Sequence, residues 1–155
     1  MKFENKVKKF IKENFGITAK VADTFYSSPY HKKKRIYFPI TVEEMKCKEF
    51  MDNYREHYEA EPTADEFIIS ILHEVGHIKT TKHQLPCITT IHVQRALTFD
   101  DGTLMNEYFN IPQEQLATDF AYAWIKKHPK RIKRFWNSIK NDLEAMGYFD
   151  IEGEP

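Results

Sequence analysis

Two histidines four residues apart, with a glutamate directly after the first, are the side chains of this sequence best suited to chemistry: His73-Glu74-Val75-Gly76-His77. On an α-helix a four-residue step turns by about 40°, so both imidazoles leave one face and can share a metal ion. Neutral imidazole is an ordinary zinc ligand. Glu74 lies beside that face, within reach of a water on the metal. Zinc brings the pKa of such a water near neutrality, and a carboxylate in this place can take its proton as attack begins. The pattern is the HExxH arrangement of zinc peptidases. Read structurally, the same residues are a pair of core or surface histidines beside a solvated glutamate. That reading leaves unexplained why the apolar turns before them, Phe67-Ile68-Ile69-Ser70-Ile71-Leu72, should end in three polar groups. Gly76 adds a constraint. A glycine inside a helix costs about 1 kcal/mol relative to alanine, so its presence points to another element approaching closely at this turn.

A catalytic zinc site usually has three protein ligands and an open position for water. Two residues compete for the third place. His83 completes the outline of an HExxHxxGxxH site, but Thr80 stands where that pattern has its glycine, and a β-branched residue is poorly suited to a positive φ. On a continued helix His83 would sit about 240° around from His77. Glu114 falls in the first turn of a helix expected from Pro112, where the helix dipole favours a carboxylate. A second helix packed on the first would bring it to the histidines. Glu107 is a weaker rival. Thr118 and Asp119 are placed to hydrogen-bond the outer nitrogen of a ligand histidine. Tyr108, His92 and His83 are candidates for stabilising an oxyanion, although an ordinary structural role suffices for each.

These side chains need helices to hold them. Residues 2–15 read as an amphipathic helix through Phe3, Val7, Phe10, Ile11 and Phe15, stopped by Gly16. Residues 17–25 have strand character, and 27–34 read as a turn and an exposed connection. Residues 35–40 form a second strand candidate. Its Pro39 suits an edge or a strand end, and an edge strand here would accept an extended peptide by strand addition. Residues 41–60 have helical spacing through Cys47, Phe50, Met51, Tyr54 and Tyr58. Thr63-Ala64-Asp65-Glu66 has the form of a capping box, and a helix over 64–79 follows. Residues 88–93 have strand character and 100–102 a turn. A helix over 112–127 has Leu116, Phe120, Ala123 and Trp124 as its apolar face, with Pro129 ending it. A last helix covers 130–146 and stops at Gly147. The sum is one mixed α+β domain over 1–155, helix-rich with a small N-terminal sheet.

Composition limits the partners. Of 155 residues, 23 are basic and 23 acidic, so the chain is neutral with histidine uncharged. That argues against a general attraction to nucleic acid or an anionic membrane. The basic run from Lys126 to Arg134 reads as a solvated helix junction, with contact to nucleic acid or an acidic partner as the alternative. The two cysteines, Cys47 and Cys87, lie in no metal-binding spacing and fit a reducing compartment. The N-terminus lacks the apolar stretch of a signal peptide. No apolar run approaches the ~20 residues that cross a bilayer. A cytoplasmic protein with no membrane span is the expectation.

His73-Glu74-Val75-Gly76-His77, followed by Glu114-x-x-Ala117-x-x-Phe120-Ala121, resembles the ImmA/IrrE-type metallopeptidases over roughly residues 63–127. In that family an HExxH helix is followed by a glutamate-bearing helix of ExxA(N/D)xFA pattern. This chain departs at Thr118, where the pattern has Asn or Asp, and in the long interval between His77 and Glu114. The resemblance implies a zincin-like domain holding one zinc ion on His73, His77 and Glu114. It makes Glu74 the general base in hydrolysis of a peptide bond, with a protein or peptide as substrate. The alternative expectation is a zinc-stabilised binding or regulatory protein without turnover.

Overall fold

Apolar residues recurring every three or four positions give the first helix its buried side. Helix α1 (Phe3–Phe15) buries Val7, Phe10, Ile11 and Phe15, and ends at Gly16, whose φ of 69° and N–H donated to the Lys12 carbonyl close the last turn. The computed structural model describes residues 1–28, 32–46, 64–80 and 112–151. Those residues form a helix-rich α+β fold with a small three-stranded sheet. The expectations for residues 47–63, 88–93 and 100–102 lie outside them, as do His83, His92, Glu107, Tyr108, Cys47 and Cys87.

The sheet consists of β1 (Thr18–Val21), β2 (Tyr26–Ser27) and β3 (Arg35–Phe38). β3 lies in the centre, parallel to β1 and antiparallel to β2. Alternation along the strands turns Ala19, Ile36 and Phe38 into the core and leaves Thr18 and Lys20 exposed. This corrects the expectation of an edge strand over 35–40. β3 has partners on both sides, so its backbone cannot accept an added strand. Pro39 follows the last paired residue, where its missing N–H costs the ladder nothing. Ser27, expected in a turn, belongs to β2 and pairs with Ile36. A single turn of helix, α2 (Val42–Met45), follows β3.

Helix α3 (Glu66–Lys79) carries the HExxH segment. Asp65 caps it: its carboxylate accepts the Phe67 amide at 2.9 Å. The described cap is therefore Asp65 and the helix begins at Glu66, two positions after the expected start. From Phe67 to Gly76 every residue of α3 is buried, as suits a helix enclosed on all sides. Helix α4 (Pro112–Lys127) has the expected bounds but not the expected inner face. Glu114, Ala117, Thr118, Ala121 and Ile125 are buried, while Leu116, Phe120 and Trp124 are half-buried and Ala123 is exposed. Small residues let α4 lie close to α3. Its bulky aromatics are spent sideways on α1, Phe120 at 6.1 Å and Trp124 at 5.0 Å from Phe15.

Helix α5 (Pro129–Ala145) starts at the proline that was expected to end α4, with His128 alone between the two helices. Proline fits the first turn of a helix, where no intrahelical N–H bond is due. Ile132, Phe135, Ile139 and Leu143 face the core. α5 runs antiparallel to α1. The Phe10 and Phe135 rings stack at 4.0 Å, Lys6 pairs with Asp142 at 2.7 Å, and Arg131 donates to Asn14 Oδ1. After Gly147 (φ 83°) a 3-10 turn (Tyr148–Ile151) returns to the start of α3. Tyr148 is fully buried there, its hydroxyl donates to Asp65 at 2.7 Å, and Lys46 Nζ lies 4.2 Å from its ring centroid. Among the described residues no helix is long and apolar enough to cross a membrane.

The Asp65 carboxylate thus joins the C-terminal turn to the cap of the HExxH helix. Tyr148→Phe, which removes one charge-assisted hydrogen bond and little volume, is expected to cost about 1–2 kcal/mol of unfolding free energy in urea titration. An unchanged midpoint would show that Asp65 caps α3 without help from Tyr148.

Candidate metal centre

Gly76 explains how the centre is assembled. A Cβ built there would lie 2.4 Å from the Ala117 carbonyl oxygen and 2.8 Å from the Ala117 Cα, distances no real Cβ adopts. The backbones of α3 and α4 therefore touch, as the glycine led one to expect. Residues on either side of Ala117 are drawn over the histidine face of α3. Glu114 Oε2 lies 2.8 Å from His73 Nε2 and 3.0 Å from His77 Nε2, and the two Nε2 atoms are 3.1 Å apart. Glu114 and Thr118 are fully buried and His73 is 3% exposed.

Hydrogen bonding fixes which atoms can act as ligands. Thr118 Oγ1 lies 2.9 Å from the Glu114 backbone carbonyl and 3.0 Å from His73 Nδ1. A carbonyl only accepts, so the hydroxyl hydrogen goes to Glu114 and the oxygen is left to receive Nδ1–H of His73. In a neutral His73 the Nε2 is then a bare lone pair aimed at a carboxylate oxygen and at the second imidazole. Such a cluster of acceptors needs a shared cation. A proton serves one pair at a time, whereas a metal ion serves three. With zinc–ligand lengths near 2 Å, tetrahedral donors sit about 3.3 Å apart. The triangle of His73, His77 and Glu114 meets that spacing after opening by a few tenths of an ångström, and the three fit a divalent metal ion.

The charges agree. Burial pushes the Glu114 carboxyl up, but in the metal-free state, where protonated imidazoles take the place of the ion, hydrogen bonds from His73 and His77 and their charges hold it well below the usual carboxylate range. Burial pushes the His77 imidazole down, but its hydrogen bond to Glu114, and the charges of Glu114 and Glu74, raise it above its ordinary value. Glu74 is 9% exposed and has no hydrogen-bond or ion-pair partner among the described residues. A carboxylate so enclosed and without a hydrogen bond is costly unless something at the site uses it.

His73, His77 and Glu114 are thus brought together, with Glu74 beside His77. Of the two candidate partners for a ligand histidine, Thr118 meets His73, and Asp119 is exposed. His83 and Glu107 lie outside the described residues, among which Glu114 is the acidic group joined to both histidines. Sequence reasoning gave Ala117 no role, though it forms the seat against Gly76. Its position three residues after Glu114, one helical turn on, was the available signal. Compared with protein-family models, curated proteins and solved structures, the chain matches none.

Two outcomes follow from this geometry. Gly76→Ala should lower stability by about 1–3 kcal/mol, as overpacking does, and weaken zinc binding in calorimetric titration. A stabilised variant would show that α3 and α4 are not in backbone contact. For pH, Glu114 contributes stability above its unfolded value of 4.5, lost as pH falls through its depressed folded value. His77 contributes below 6.5, and that share is lost as pH rises through its elevated folded value. Metal-free protein should therefore melt highest between these two values. With zinc the upper limb should reverse, because binding needs a neutral imidazole. A melting temperature that is flat in chelator between pH 6 and 8 would count against a protonated His77.

Proposed function

We propose that this protein is a zinc-dependent metallopeptidase of the ImmA/IrrE type, with a zincin-like domain and a protein or peptide substrate in the cytoplasm. One observation carries the reading. Thr118 orients His73 so that its Nε2 lone pair faces His77 and Glu114, and an unpartnered Glu74 carboxylate stands at the same centre. His73, His77 and Glu114 would hold the ion. A zinc ion there supplies a Lewis acid and acidifies the water it carries. Glu74 accepts a proton from the attacking water and returns it to the leaving amine. Thr118 keeps the first imidazole in the one tautomer that serves. Burial of the triad removes competing solvent and strengthens each of these interactions.

That same burial favours a second reading. His73, His77 and Glu114 are between 0% and 12% exposed at their side chains, which also suits a structural metal in a binding or regulatory protein. Zinc content and peptide cleavage separate the two. Wild type and Glu74→Gln should each bind about one zinc ion, and Glu114→Ala should bind much less. Cleavage of a peptide library, followed by mass spectrometry, should occur with wild type and be lost in Glu74→Gln. Full activity in Glu74→Gln sinks the proposed mechanism, and a protein partner that wild type binds but does not cleave assigns the structural role.

A further inference from the structure

The end of the molecule away from the metal centre carries a different chemistry. Residues 126–134 contain Lys126, Lys127, Lys130, Arg131, Lys133 and Arg134 with no carboxylate among them. In the fold this run joins α4 to α5, and α5 lies antiparallel to the lysine-rich α1. Between α1 and α5 opens a groove of about 550 Å³. Lys6, Lys9, Arg131 and Arg134 line it, Phe10 and Phe135 form its floor, and Met1, 74% exposed, stands at its lip. Along α4 its last residue, Lys127, lies about 20 Å from Glu114, at 1.5 Å per residue.

These cations are poorly accounted for by the fold itself. Lys127, Lys130, Arg131, Lys133 and Arg134 form no ion pair among the described residues, although the chain has as many acidic groups as basic ones. The first turn of α5 has no acidic residue. Lys130 and Arg131 occupy it instead, at the positive end of the helix dipole, where each cation is disfavoured. The potential is felt by His128, whose imidazole lies below its ordinary value through desolvation and the charges of Arg131 and Lys127. A solvated junction explains why such residues are tolerated. Of the groove cations, Lys6 pairs with Asp142 and Lys9 with Glu13, but among the described residues no carboxylate pairs with Arg131 or Arg134.

We propose that this groove docks an acidic segment of a partner protein, one that presents carboxylates at intervals with an apolar side chain between them. The volume admits a few side chains and not a folded element. Arg131 and Arg134 meet the carboxylates, with Lys9 exchanging its exposed 3.8 Å pair with Glu13 for the ligand, and the phenylalanine floor with Met1 takes the apolar group. A nucleic acid fits less well. Glu13 stands in the groove wall and Asp142 beside it, so a continuous phosphate chain would pass over both. The remainder of this neutral chain also carries the compensating negative charge and would repel a long polyanion. A segmental acidic peptide avoids both.

The test uses fluorescence anisotropy on the full chain. One probe is a labelled peptide alternating Glu and Asp with Leu and Phe. A second peptide replaces its acids with Ser, and a labelled single-stranded oligonucleotide serves as the third probe. The acidic peptide should bind with an affinity that falls with salt. Binding should weaken at least about tenfold in Lys9→Glu/Arg134→Glu, whose side chains are exposed. Zinc content and melting temperature report that this variant is folded, and the milder Lys9→Gln/Arg134→Gln pair serves if it is not. Failure of the acidic peptide to bind, equal binding by the Ser peptide, or equal binding by a folded charge variant overturns the proposal. Tighter binding of the oligonucleotide overturns it in favour of nucleic acid. None of these readings depends on whether the metal centre is catalytic.

Discussion

The contact on which the rest depends is backbone against backbone, Gly76 against Ala117. Helices with ordinary side chains at their crossing stay 8–10 Å apart. Removing the Cβ at one position brings the helices close enough for Glu114 to lie within 3.0 Å of both histidines. The glycine lowers helix propensity locally, and the loss is offset by enclosure. α3 is buried from Phe67 to Gly76, and the sheet, α1 and α4 hold it whatever its intrinsic preference.

Enclosure then sets the chemistry. A carboxylate removed from water is destabilised unless cations or donors replace the lost hydration. Glu114 has two imidazoles, and with His77 protonated the group is internally compensated. This compensation is what a metal ion must displace, so affinity and proton release are linked at the centre. Thr118 matters because its hydroxyl is committed to the Glu114 carbonyl within its own helix. One turn of α4 thus supplies both the carboxylate and the group that orients the first histidine facing it.

The gathering of the candidate site was legible because the spacing of its residues is local. His73, Glu74 and His77 need only the helical period, and Glu114 needs a helix start marked by Pro112. The inner face of α4 was not legible by the same means. Ranking residues by hydrophobicity selects Leu116, Phe120 and Trp124, whereas this interface selects for smallness, and Ala117, Thr118 and Ala121 carry it. The central place of β3 was missed because it depends on which strands pair, a non-local matter that Pro39 alone cannot decide. Asp65 caps α3, with Tyr148, eighty-three residues away, holding the same carboxylate. No local pattern contains that partner. The zincin-like assignment rests on the resemblance and on the triad.

Net charge was the least informative property of the sequence, for a physical reason. A sum over the chain erases position, and here position is the content. α4 has Glu114 in its first turn and Lys126 and Lys127 in its last, each where the dipole favours it. Up to Lys127, helix stability alone explains the arrangement. Beyond His128 it no longer does, because the next cations sit in the first turn of α5, where the dipole opposes them. Stability would place an aspartate or glutamate there, and the chain has many elsewhere. A cost accepted at the surface, beside a groove with an apolar floor, is better explained by something that binds than by something that folds.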